Sequence, residues 1–230
     1  MRVVIVAKTR MNGGMLCVGA LSADGAESLR LLQANGWNQP ADTPYDVGEI
    51  WDIEGRRKPD CVPPHVEDFL VTQRHQIGRE PRLAQFLSAR VRPWRGGPEG
   101  LFDGLIRFTG SRSGYISRQN KLPSCSTGFW LADRPLFRIQ DGDRASYHYT
   151  REALVCRVTY VGTAPAPATI AAGTLVRVSL ARWWRPDDAP DMEERCYLQL
   201  SGCYDDAEGF SSRKSMVASK PADLEEQIPF

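Results

Sequence analysis

The sequence predicts a mostly β protein in which a bridging helix joins two small β-barrels. Three observations carry that expectation. Short β-branched runs separated by Gly, Asn, Asp and Pro recur through both halves of the 230-residue chain, which is the pattern of short strands and tight turns. Helical apolar spacing stands out over residues 79–91, where Leu83, Phe86, Leu87 and Val91 share one face. A Gly/Pro-rich stretch at 94–100 then breaks the chain near its middle. The expected organisation is a first barrel over 1–78, a helix and linker over 79–99, a second barrel over 100–206 and a peripheral tail over 207–230.

In the first half, residues 2–7 (RVVIVA) form a continuous β-branched run and are expected as a buried strand. Asn12-Gly13-Gly14 supplies a turn, residues 15–21 a second strand, Asp24-Gly25 another turn and residues 28–32 a short third strand. Residues 35–45 read as a loop, and 47–53 alternate as a half-buried strand does. The stretch 55–64 holds three prolines and Arg56-Arg57-Lys58 and reads as a loop, with 65–73 the fifth strand. Five short strands in this space suit a small closed barrel such as the OB-fold. A sandwich or an SH3-like barrel has the same periodicity. In the helix that follows, Pro81 fits the first turn and Pro93 ends it.

The second half returns to β-structure. Residues 114–118, 128–131, 136–140 and 146–149 are short strands, the last two joined by a turn at Asp141-Gly142-Asp143. Residues 153–161 alternate, with Leu154, Cys156, Val158 and Tyr160 on one side. The stretch 173–204 reads as a hairpin with an acidic connection, carrying Trp183-Trp184 between Arg182 and Arg185. The second half is thus expected to be OB-like as well. The tail from Glu208 shows little periodicity and is expected to be peripheral, its final Ile228 and Phe230 a possible handle for a protein partner.

Composition excludes several classes. No apolar run approaches the roughly 20 residues of a membrane span, and the N-terminus opens into a strand without a signal-peptide layout. A cytoplasmic location and no membrane partner are expected. The six cysteines are scattered without a CxxC, and the three histidines do not pair with them at zinc spacing, so no metal or cofactor is expected. Net charge is only +1, but between Arg74 and Lys121 ten basic residues face three acidic ones. That block is either an electrostatic footprint for phosphate or a solvated surface rich in arginine.

The first half has an opening strand Val3 to Ala7 with Lys8 and Gly13-Gly14, then Cys17-Val18-Gly19-Ala20 and Arg30. The aromatic-bearing strand 47–53 and the run Pro64-His65-Val66-Glu67-Asp68 follow. In these residues it resembles the prokaryotic dual OB-containing domain family. The family pattern often has Glu-Asn where this chain has Glu67-Asp68. The resemblance implies two OB barrels, nucleic-acid binding, and a setting in bacterial antiviral defence or DNA processing, as a subunit of a complex. It brings no established catalytic residues.

Two stretches carry the chemistry of a nucleic-acid platform, in which arginine neutralises phosphate and rings stack bases. The hairpin offers Arg177, Arg182, Trp183, Trp184 and Arg185, with Ser179, Tyr197, Gln199 and Ser201 on its polar face. The alternative is that the tryptophans lid the barrel and the arginines pair with Asp187, Asp188, Glu193 or Glu194. Residues 112–130 interleave Arg112, Tyr115, Arg118, Lys121 and Trp130 with glycines and serines. The alternative there is a loop with inward-packed aromatics. With Lys8, Arg10 and Arg30 of the first half, these residues are the expected contacts to nucleic acid, single-stranded in preference. Catalytic alternatives are thin. Ser124-Cys125-Ser126 with His148 lacks a nucleophile elbow. His65, Glu67 and Asp68, as a cluster for a metal-dependent hydrolase or nuclease, would be split across the two faces of an alternating strand. An enzyme is therefore not expected, and the remaining alternative is an assembly subunit that touches only protein.

Overall fold

The computed structural model describes residues 1–141 and 144–205. The expected peripheral tail, the handle at Ile228 and Phe230, and the middle of the Asp141-Gly142-Asp143 turn lie outside them. No helix among the described residues is long and apolar enough to cross a membrane.

Five strands close the first barrel: β1 (Arg2–Arg10), β2 (Leu16–Ser22), β3 (Ser28–Gln33), β4 (Glu49–Arg57) and β5 (Asp68–Arg79). Their order around it is β1-β2-β3-β5-β4, with β3 and β5 parallel and β1 returning to pair with β4. This is a five-stranded Greek-key barrel of OB type. Alternate residues point inward. Val3, Ile5, Val18, Ala20, Leu29, Leu31, Trp51, Ile53, Phe69 and Val71 fill the interior, and Tyr45 meets Trp51 edge-on at 4.8 Å. The outward side of β1 is buried too, because Val6 joins Leu21 under the second barrel. Burial on both sides explains why β1 reads as an unbroken apolar run.

The fifth strand differs from the expected 65–73. It starts at Asp68 and runs to Arg79, paired residue by residue with β4 back to Glu49. His65 and Glu67 therefore precede the strand, and strand alternation does not separate them from Asp68. The expected helix 79–91 shortens to α1 (Leu83–Ser88), because Arg79 is held in the β4–β5 ladder. Its apolar face is as anticipated: Leu83, Phe86, Leu87 and Val91 all pack into the cluster between the barrels.

The second half repeats the topology with additions. Three short strands come first: β6 (Trp94–Gly96), β7 (Arg107–Phe108) and β8 (Gly114–Ser117). Then follow β9 (Thr127–Ala132), β10 (Leu136–Asp141), β11 (Arg144–Arg151), β12 (Leu154–Tyr160), β13 (Thr169–Ile170), β14 (Leu175–Leu180) and β15 (Arg195–Tyr204). The sheet order is β13-β10-β11-β12-β15-β14-β9-β6. With β9 and β10 taken as one first strand broken at residues 133–135, it is again first-second-third-fifth-fourth, and β12–β15 is parallel as β3–β5 is. Strand β8 (predicted at 114–118) extends the edge of β15. The core holds Trp130, Tyr147, Tyr149, Cys156, Val158, Val176, Val178, Leu198 and Leu200.

Candidate nucleic-acid interface

Beside the apolar cluster between the barrels, the connections that enter the two fifth strands form a second, polar point of contact. In the first barrel this is the segment between β4 and β5. Glu67 is buried and accepts hydrogen bonds from Ser126 N (2.5 Å), Ser126 Oγ (2.7 Å) and Thr127 N (3.2 Å) at the start of β9. Asp68 is ion-paired to Arg30 within the barrel and accepts from Arg182 of the β14–β15 connection at 2.9 Å. Burial pushes the Asp68 carboxyl up, but the charges and hydrogen bonds of Arg30 and Arg182 outweigh it and hold the pKa below the ordinary value. His65 is 4% exposed, with Nε2 3.5 Å from Cys196 Sγ. Burial first, then the charges of Arg182 and Arg30, lower its pKa to about 3. Burial likewise pushes the Cys196 thiol up to about 12. The Pro-His-x-Glu-Asp run is therefore the latch between barrels. Both Glu67 oxygens and both Asp68 oxygens are bonded to neighbours, and among the described residues no three His, Cys, Asp or Glu side chains gather as metal ligands would.

Beside the latch, β8 and the entry to β15 form a ledge of rings and guanidinium groups. Tyr115 and Tyr197 are cross-strand partners with ring centroids 6.2 Å apart, and Trp184 stands 6.0 Å from Tyr197. Paired backbone hydrogen bonds between Trp184 and Arg195 hold that tryptophan at the hairpin neck, 52% exposed. Arg195 lies over Tyr115 at 4.3 Å and Arg118 over Trp183 at 5.6 Å. Trp183 itself is partly buried against the second core. Two carboxylates order the arginines. Glu194 pairs with Arg118, and Glu193 accepts from the Ser117 hydroxyl and from Arg195. The Ser117 hydrogen bond in particular, opposed by burial and aided by Arg195, lowers the Glu193 pKa. The carboxylates also damp the positive potential over the ledge.

The ledge brings together Tyr115, Arg118, Arg182, Trp183 and Trp184 from the two separate stretches singled out in the sequence, although Tyr115 itself is 9% exposed. Other expected contacts are spent elsewhere. Trp130 is fully buried and donates to the Gly96 carbonyl at 2.8 Å, so its ring is a core element. Arg177 is 5% exposed, bonded to Ser201 at 3.0 Å and packed where β2 has Gly19; a Cβ there would stand 2.8 Å from its Nη2. The hairpin's polar side is thus partly an inter-barrel face, and the β14–β15 register shifts between Arg177 and Val178. Arg30 is largely buried against Asp68. Lys8 pairs with Asp46 at 2.8 Å, and Arg10 donates to the carbonyls of Gly162 and Thr163 across the barrel junction. Arg112, Lys121 and Arg185 are exposed but make no ring contact among the described residues. Arg195 is not among the residues the sequence singles out, though its i, i+2 relation to Tyr197 on a strand places both on one side.

The family comparison agrees with this architecture. A family model described as Dual OB-containing domain matches residues 1–203. Among solved structures the chain is similar to a murine DNA binding protein bound with ds DNA, at 9% identity and TM-score 0.29 over 87% of this chain and 91% of that one. It is also similar to the p204 HINb domain, at 10% identity and TM-score 0.30 over 87% of this chain and 95% of that one. No curated protein matches.

Proposed function

We propose that this chain, which belongs to the dual OB-containing domain family, binds nucleic acid, and that it seats a single strand along the ledge of β8 and β15. The observation that carries this reading is the row Tyr115–Tyr197–Trp184, with Arg195 and Arg118 stacked beside it. The half-exposed Trp184, with Tyr197 beside it, offers bases a face that a duplex cannot use, and arginines beside them meet the phosphates. The role is binding rather than catalysis. The thiol of Cys125, the nearest thing to a nucleophile in the sequence, is pushed up by burial and by the charge of Glu67, away from the thiolate it would need. We place the activity in a bacterial defence or DNA-processing assembly, the setting that the family resemblance implies.

Fluorescence anisotropy with labelled single- and double-stranded oligonucleotides at two salt concentrations tests this. Single strands should bind more tightly, with affinity falling as salt rises. Trp184→Ala should weaken binding by the roughly 1–3 kcal/mol of a stacked base. Affinity no better than about 0.1 mM at low salt would reject the reading, since that is only weak non-specific binding.

A further inference from the structure

A pocket of about 250 Å³ lies at the seam of the barrels, beside the ledge. One wall is the β4–β5 connection of the first barrel, with Lys58, Asp60, Val62 and His65; the other is Arg182 and Trp183 from the β14–β15 connection. In each barrel this is the loop between fourth and fifth strands, so the two halves present equivalent loops to one space. The volume is below the roughly 300–1,000 Å³ of drug-sized pockets and suits one small planar ligand with part of it outside.

Three chemistries converge there. Positive charge comes from Arg182, which spends one nitrogen on Asp68 and leaves its side chain 46% exposed, and from Lys58, which has no ion pair among the described residues. Flat and apolar surface comes from Trp183 and the exposed Val62. At the base, His65 holds Nδ1 buried without a well-formed hydrogen bond. The ring stays neutral and closes the floor of the pocket without adding charge. Asp60 and Asp68 line the same space and balance Lys58 and Arg182, which leaves room for one phosphate rather than several.

We propose that the seam pocket seats a single nucleoside monophosphate unit, its base against Trp183 and its phosphate between Lys58 and Arg182. The unit is either one unstacked residue of a bound strand or a free mononucleotide. In the first form the inference rests on the ledge reading and extends it, adding a position where one base leaves the stack.

The test uses the full chain, oligothymidylates carrying one photoreactive iododeoxyuridine at successive positions, and AMP as the free probe. Lys58→Glu is the seam variant, because an exposed loop lysine can change sign without loss of fold. At one strand position a crosslink should map to the segment around Val62–His65 or to Trp183. Lys58→Glu should lose that crosslink and weaken strand binding about tenfold, while crosslinks to Trp184 persist. If strands bind and crosslink Trp184, never the seam, and Lys58→Glu binds as the parent does, the seam inference is overturned and the ledge reading stands. If no strand binds, yet AMP saturably quenches tryptophan fluorescence in the parent and not in Lys58→Glu, the pocket is a free-nucleotide site and the ledge reading falls. Failure of both probes overturns both.

Discussion

Of the three histidines, His65 is the one that folding takes out of water, and its environment makes stability depend on pH in a defined window. Burial, then the charges of Arg182 and Arg30, put its folded pKa at about 3, against the ordinary 6.5. The folded protein therefore keeps the ring neutral while the unfolded chain protonates it below pH 6.5. The stabilisation is complete above 6.5 and is lost as pH falls from 6.5 toward 3, with a slope of up to about 1.4 kcal/mol per pH unit. Asp68 acts in a different range. Its pKa is lowered on folding, so its contribution is present above about 3.8 and disappears only below that. Between pH 6.5 and about 4 the two are separable. Urea unfolding followed by tryptophan fluorescence should show the parent losing stability across that range and His65→Gln losing distinctly less. Equal slopes in the two proteins would mean that His65 is not the group responsible.

At the scale of elements, two glycines show what a sequence pattern conveys and what it hides. Gly55 sits at the register shift that lets β4 bend over β5, and a Cβ there would stand 2.0 Å from the Leu70 carbonyl oxygen. Backbone cannot step aside as a side chain can. Gly55→Ala should therefore destabilise by about 1–3 kcal/mol or more, a loss of about 2–12 °C in melting temperature. Gly78→Ala, in β5 with open space around it, should melt close to the parent and serves as the comparison. Differential scanning calorimetry of the pair decides this, and equal melting temperatures would refute it. The sequence displayed the strands because β-branched alternation is local. It placed β1, β2, β3 and the apolar sides of α1 and β12 correctly for that reason. It misplaced the start of β5, since Glu67 is kept out of the ladder by donors on Ser126 and Thr127, far away in the chain. It also took the polar side of β14–β15 for a free surface. Alternation says that the two sides of a strand differ, while which side another barrel covers is a tertiary fact. Gly19 and Arg177 meet across that gap, and neither announces the other. The ledge was legible in part, because Tyr115, Arg118 and the tryptophan pair are conspicuous types, but Trp130 is the same type and is entirely core.

For the molecule as a whole, the junction has the character of a core rather than of a contact between independent domains, which are ordinarily more polar. Val6 and Leu21 come from the first barrel, Leu87 from α1, and Phe129, Leu175 and Tyr204 from the second barrel, all buried together. The Tyr204 hydroxyl donates to the Val6 carbonyl at 2.5 Å, and the Glu67 and Asp68 bonds tie a second point. Opening either barrel exposes this shared cluster, so neither should open alone. Hydrogen exchange read by mass spectrometry would give equal opening free energies for the slowest amides of β3 and β12 in the parent. Leu87 is fully buried at the centre of the cluster and belongs to neither barrel. Leu87→Ala should cost about 2–5 kcal/mol, the range for a leucine truncated in a core. It should also uncouple the barrels, so that β3 and β12 amides exchange with different free energies. Unequal values in the parent would show two independent barrels. Equal values retained in Leu87→Ala would place the coupling in the Glu67–Asp68 latch instead.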